Sequence, residues 1–470
     1  MTLKLFIKDI KLLVRDMKFQ IFFLILVALF ILSAISSSVT YKSATEDHQN
    51  VVNSHNNYIQ NESNLRLISL QNADPIQVID TPSPAVLFSS YENYPNRLSN
   101  NVRIYQPDVR KTGLPQPEAF SLNWNFILSV LSGFFMLLLS FEAVSSEKRA
   151  GTLRLLSIYG FKRQTILWSK YLSYMLLYLI IIIPPAMISM ILFFALTDTW
   201  DFTYMMQFVL IILLSIPFAS FFAFLGMFIS MAKNYRNAII MVVFIWLFFV
   251  IIIPQSANIF GKMMSKIKTS SELHNLMQDT AMAELNQWMV EHGHKVASNT
   301  DMANGLRAKA FNAMEEKYNS VAQMAILDYK RQVRSIGNIA QLSPFTQYEK
   351  ISEIVFDKGS YLFEFQQQTM QNTLTAVKNL MIEQDSRDET SLHLFFRQAA
   401  QDNYSTRQKG LTNFSFNKFD HPNLLLVTNT PTDDITGKTL KIILRLLPIL
   451  ILNLLLIISS VVKLEKLDIR

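Results

Sequence analysis

The sequence predicts an all-α membrane protein: six transmembrane helices, an N-terminal interfacial helix and two extracytoplasmic insertions, the larger one helical. Three observations carry this expectation. Half of the 470 residues are apolar and only 17% are charged, against about 25% charged in a soluble domain. The apolar residues are clustered, so that Phe19 to Val39 passes without a single charge. Lysine and arginine gather in the segments that six crossings would leave on one side of a bilayer. The absence of cysteine excludes a disulfide scaffold, a thiolate nucleophile, Cys-ligated zinc and an iron–sulfur site. With 12 glycines, 15 prolines and many bulky apolar residues, collagen-like, low-complexity and mostly disordered chains are excluded too.

Roughly 20 apolar residues cross about 30 Å of hydrocarbon as a helix, and each element follows from that length. Residues 1–18 are amphipathic: Leu3, Phe6, Ile7, Ile10, Leu13, Val14 and Met17 share one face and Lys4, Lys8, Lys11, Arg15 and Lys18 mostly the other, the pattern of a helix lying in an anionic membrane surface. Span one, residues 19–39, has too long an apolar core and no small-residue cleavage site, so it reads as a retained anchor and not a signal peptide. An insertion at 40–121 starts helix-compatible and turns proline-punctuated from Pro75 to Pro117. Span two is 122–144, followed by a polar connection at 145–170. Span three, 171–196, holds a Pro184-Pro185 pair expected to kink it, and span four, 202–231, holds Pro217. Span five, 238–254, is expected to stop at Pro254. The long insertion 255–439 reads as a helical bundle or hairpin: Phe311, Met314, Tyr318, Val321 and Ala325 form one stripe, Leu273, Leu276, Met277, Leu285, Trp288 and Met289 a second face, and 360–383 a third helix. Span six is 440–462 and the tail 463–470.

The segments assigned to the terminal side hold sixteen basic residues against six acidic ones, a surplus larger than the net charge of +7 for the whole chain. The positive-inside rule then puts both termini in the cytoplasm, and the basic balance reflects topology and not nucleic-acid binding. Lys438, Lys441 and Arg445 run against the trend, at the outer end of span six, where long side chains snorkel outward and charges beside a long translocated domain count little.

The connection after span two carries the densest pattern. A polar break leads to a short amphipathic helix from Thr152 to Tyr159, a stop at Gly160 and a second short helix feeding span three. Glu147, Gly151-Thr152-Leu153, Leu155-Leu156, Lys162-Arg163, Ile166-Leu167 and Lys170 stand in the order and spacing of the ABC-2 type permeases, which this sequence resembles across all six spans. Trp246, Pro254, Leu342-Ser343-Pro344, Phe363 and Phe365 resemble the sub-branch with large extracytoplasmic helical insertions. The resemblance implies a bacterial inner-membrane permease subunit of an ATP-binding-cassette exporter, paired with a second permease, identical or paralogous, above two ATP-binding subunits. It implies that ATP and Mg belong to the partner subunit and that Glu147, Gly151, Thr152, Leu153, Leu156 and Arg163 couple to it. Two alternatives stay open: a mechanotransmission subunit whose outer domains actuate an envelope partner, and a membrane scaffold without ATP coupling.

No catalytic pattern survives inspection. Gly437-Lys438-Thr439 ends like a phosphate-binding loop, but Thr432 stands where the first glycine belongs. Glu291-His292-Gly293-His294 reads as a solvated helix end rather than a metal site. Glu142, Arg445 and Asn453 are polar groups in or beside spans, where burial in lipid is costly, and are candidates for lining a path or gate.

Overall fold

The computed structural model describes residues 2–62, 77–79, 82–88, 98–99, 106–107, 122–232, 235–264, 268, 270–296, 301–388, 417–428 and 435–465. Helices dominate them, and six are long and apolar enough to cross a membrane, among them Met17–Asn57, Phe126–Arg149, Phe202–Ser230 and Asn237–Met264. Helix α1 (Thr2–Arg15) lies against the third span. It buries Asp9 and packs Leu13 on the core while Ile7 and Val14 stay exposed. Asp16 ends α1 and caps α2 (Met17–Glu62), its Oδ1 accepting the Lys18 amide at 3.0 Å. Span one thus continues into the first insertion as a single helix, with no break where the apolar run ends at Val39.

Span two begins with a π-helix (Phe126–Leu131), entered through an Asn123 cap on the Phe126 amide at 2.9 Å, and continues as α3 (Ser132–Ser140). Short helices α4 (Ser145–Arg149) and α5 (Thr152–Ile158) make the connection to α6 (Arg163–Thr197). The second short helix expected before span three is the first turns of α6 itself, and Pro184 and Pro185 lie inside that α-helix. Span four is divided at Ser215 into α7 (Phe202–Leu214) and α8 (Ile216–Ser230), because Pro217 lacks the amide that would carry the ladder across. Span five comprises α9 (Tyr235–Leu247), a π-helix (Phe248–Ile252) and α10 (Ile253–Met264). Pro254 therefore does not stop it: the π-turn resets the hydrogen-bond register, and proline then sits in the first turn of α10, where no amide is needed.

A hub joins the first three spans. The Trp124 indole, fully buried, donates to Ser189 Oγ at 3.0 Å, and Ser189 donates to the Phe30 carbonyl at 2.7 Å. Spans two and four approach most closely at glycines, Gly133 under the Phe222 ring and Gly226 against Ser140, where a Cβ would have no room.

At the end away from the termini, α11 (Ser270–Val296) and α12 (Asp301–Ala340) form a helical hairpin on α10, with Gly261 tight against Ile336. Leu273, Met277, Ala281 and Val321 make its core with Met314 and Ala325 of the sequence stripe, while Leu276 and Met289 turn outward and the side chains of Phe311 and Tyr318 lie outside the described residues. Then comes an element that no span argument anticipates. Helix α13 (Pro344–Val355) is buried among spans four, five and six. Tyr348 Oη donates to the Ile211 carbonyl at 3.0 Å, Ser343 Oγ to the Phe249 carbonyl at 2.6 Å, and the Tyr348 ring meets Phe218 edge-on. Phe356 stacks on Phe88, which follows a buried 3-10 turn at Pro84–Leu87. Helix α14 (Gly359–Arg387) leads away, and α15 (Ile435–Glu465) is span six. Strand β1 (Gln77–Ile79) pairs in parallel with β4 (Leu426–Thr428), tying the two insertions together; β2 (Leu98–Ser99) and β3 (Gln106–Pro107) form a small antiparallel pair.

Candidate functional site

Local sequence explains how the connection after span two is held. Ser230, at the terminal-side end of span four, presents Oγ to the amides of Val144 and Ser145 at 2.7 and 3.0 Å, so a residue from another span fixes the start of α4. Gly151 (φ 72°) and Gly160 (φ 81°) bracket α5 in left-handed geometry that L side chains resist. Space is not the reason, since nothing lies within 4 Å of a Cβ at either. Thr152 Oγ1 donates to the Glu147 carbonyl at 3.3 Å and closes the turn.

An ion pair binds this loop to the third span: Lys170 Nζ lies 2.8 Å from Glu147 Oε1, with side chains 9% and 19% exposed. Asp9 of α1 joins from the other side and is 7% exposed. Burial raises its carboxyl above the usual value; Lys170 counters this and Glu147 adds to it. Glu147 Oε2 and Asp9 Oδ2 are both buried without a hydrogen-bond donor among the described residues. The Glu147–Lys170 pair thus ties the loop to the third span, with the buried Asp9 carboxyl of α1 in its field.

The remaining sequence candidates separate by environment. Leu153 is buried and Leu156 packs on the bundle, so they are the inward anchors of α5. Arg163 Nη1 donates to the Leu464 carbonyl at 3.0 Å and the Glu465 carbonyl at 2.6 Å, closing the end of span six. Glu142 pairs with Lys18 at 2.9 Å, joining spans one and two. Asn453 Nδ2 donates to the Pro217 carbonyl at 2.9 Å and bridges span six to the break in span four. Arg445 has no hydrogen-bond or ion-pair partner among the described residues. The side chains of His292 and His294 lie outside the described residues, and no group of three metal-ligating side chains occurs among the others.

Sequence reasoning by motif missed the outward face of α5. Leu155, Ile158 and Tyr159 are 53%, 71% and 71% exposed, an apolar patch at the terminal-side tip of the molecule. Their spacing of three and one, out of phase with Leu153 and Leu156, was the available signal. Asp9 was missed because a lone acid on the basic side of α1 looks like ordinary surface charge.

Over residues 3–351, from α1 into α13, the chain matches the family described as ABC-2 family transporter protein. No curated protein and no solved structure matches it.

Proposed function

The chain belongs to the ABC-2 family of transporter proteins, and from that membership we propose that it is the permease subunit of an exporter whose ATP-binding subunit docks on α5. The carrying observation is the exposed Leu155, Ile158 and Tyr159 patch on a loop held to span three by Glu147–Lys170 and to span four by Ser230, with Leu153 buried behind it. A surface that is apolar, at the tip of the loop and rigidly connected behind suits a partner that pushes. Gly151, Thr152 and Arg163 hold the loop in shape; Leu153 and Leu156 carry its displacement into the bundle. The termini are cytoplasmic, the membrane is a bacterial inner membrane, a second permease completes the path, and ATP and Mg stay in the partner subunit.

The test replaces Ile158 and Tyr159 together by Asp and measures copurification of the ATP-binding-cassette subunit and its stimulated ATPase activity. Loss of both, with the permease still inserted, is expected. Retained copurification and stimulation would remove the docking assignment.

Burial of α13 among spans four, five and six favours a second reading, mechanotransmission. A helix wedged into the bundle and continuous with the α11–α12 hairpin would convert span movement into hairpin movement and actuate an envelope partner. A cross-link between the two thiols of the double variant Ser343→Cys, Phe249→Cys fixes the wedge; cargo movement surviving this lock would favour plain export.

A further inference from the structure

Lys438, Lys441 and Arg445 follow one another at helical spacing along one flank of span six, at the end of the bundle away from the termini. The chain engages the first two. Lys438 Nζ lies 2.6 Å from Asp357 Oδ2, just past α13, and Lys441 Nζ stands 4.9 Å from the centre of the Tyr361 ring on α14. Arg445, one turn deeper, is half-buried, with Nη1 sequestered from solvent and no acceptor for it among the described residues. Its neighbours on the packed side of the same helix, Ile442, Leu446 and Ile449, are apolar and offer the guanidinium no acceptor in exchange for lost hydration.

Depth identifies what can. Arg445 precedes Lys463, which closes the opposite end of the span through the Phe228 carbonyl at 2.9 Å, by about 27 Å at the rise of an α-helix. The hydrocarbon layer is about 30 Å thick, so the guanidinium reaches the level of the phosphate groups in the leaflet on that side. Its planar fork matches two oxygens of one phosphate, and an ammonium one turn above reinforces the charge. We infer that Arg445 and Lys441 form a binding site for a phosphate monoanion, supplied by a phospholipid of that leaflet and seated beside α13. The inference rests on the spans alone and stands whether or not α5 docks an ATP-binding subunit.

The purified full-length chain, released from detergent micelles in a native mass spectrometer, is titrated with dioleoylphosphatidylglycerol. Dioleoylglycerol, which lacks the phosphate, and inorganic phosphate, which lacks the chains, are run beside it. Phosphatidylglycerol adducts should exceed dioleoylglycerol adducts, and Arg445→Gln should weaken them about tenfold, the effect of losing one charge-assisted pair. Lys441→Gln should weaken them less, and Arg445→Lys, which keeps charge without the fork, should fall between Arg445→Gln and the parent chain. Equal adducts in Arg445→Gln and the parent, or equal binding of dioleoylglycerol, would overturn the site. Displacement of the lipid by millimolar inorganic phosphate would overturn the lipid source. Should Arg445→Gln not fold, the Lys441→Gln and Arg445→Lys pair carries the same comparison.

Discussion

Replacing Lys170 by Met probes the proposed role of the loop after span two most directly. Lys170 pairs with Glu147 at 2.8 Å and its charge lowers the carboxyl of the buried Asp9, and the methionine keeps its volume while deleting the charge. At that separation the gross attraction is about 6 kcal/mol for an effective dielectric near 20. Desolvation of both partners offsets most of it, and with Glu147 still one-fifth exposed the truncation should cost about 2 kcal/mol, below the roughly 3–5 kcal/mol of a fully buried pair. A shift of about 2 kcal/mol changes the ratio of attached to detached loop roughly thirtyfold. Reconstituted with its ATP-binding subunit, Lys170→Met should therefore insert normally and lose most of the coupling between ATP hydrolysis and function. Exchanging the pair, Glu147→Lys with Lys170→Glu, should restore only part, because it removes the positive charge whose field lowers the buried Asp9 carboxyl; adding Asp9→Asn to the exchange should complete the rescue. Coupling unchanged in Lys170→Met, or complete rescue by the exchange alone, would refute the role of this charge cluster.

Asp9→Asn alone tests the sign of its titration. A carboxyl whose folded value is raised costs stability when ionised, at pH above that value, and the cost disappears as pH falls through it. The Asn variant should melt higher than the parent at about pH 7.5 in detergent, with the gap closing on acidification; a gap that widens toward acid would contradict the assignment. Gly226→Ala should lower stability by about 1–3 kcal/mol, since its Cβ would overlap Ser140 Oγ and press on the Leu137 carbonyl. Pairing it with Ser140→Gly should recover part of the loss, and a Gly226→Ala chain as stable as the parent would show that spans two and four are not close-packed there.

Much of this architecture was legible because membranes impose long periods: six apolar runs, a basic side, and the α12 stripe carrying Val321 and Ala325 all follow from local pattern. What stayed hidden depends on register and partner. The π-turn before Pro254 leaves no compositional mark, so the proline looked like a stop. Helix α13 is too short and too polar for a span argument, with Thr346, Gln347, Ser352 and Glu353 all buried, and its position is known only from what surrounds it. Among the candidate polar residues, Glu142 and Asn453 found partners whose identity, Lys18 and the Pro217 carbonyl, no local reading supplies. The Glu147 to Lys170 motif was readable in order, but not which faces of α5 turn inward.

Span four is the element held from both ends. Ser230 grips the start of α4 at one extreme, and the Ile211 carbonyl receives Tyr348 of α13 toward the other. Between them the helix is broken at Ser215, and the break is clamped from two sides: Tyr178 donates to Ser215 Oγ at 2.7 Å, and Asn453 holds the Pro217 carbonyl. A straight, unbroken helix would carry a push from the loop as a rigid tilt of its whole length. A proline break lets the two halves tilt separately, and cross-span hydrogen bonds to each side of the break decide how much of that tilt passes on to spans three and six. If a partner pushes on the loop as proposed, the loop at one end and the wedge at the other are joined by a jointed rod whose stiffness is set by Tyr178, Ser215 and Asn453.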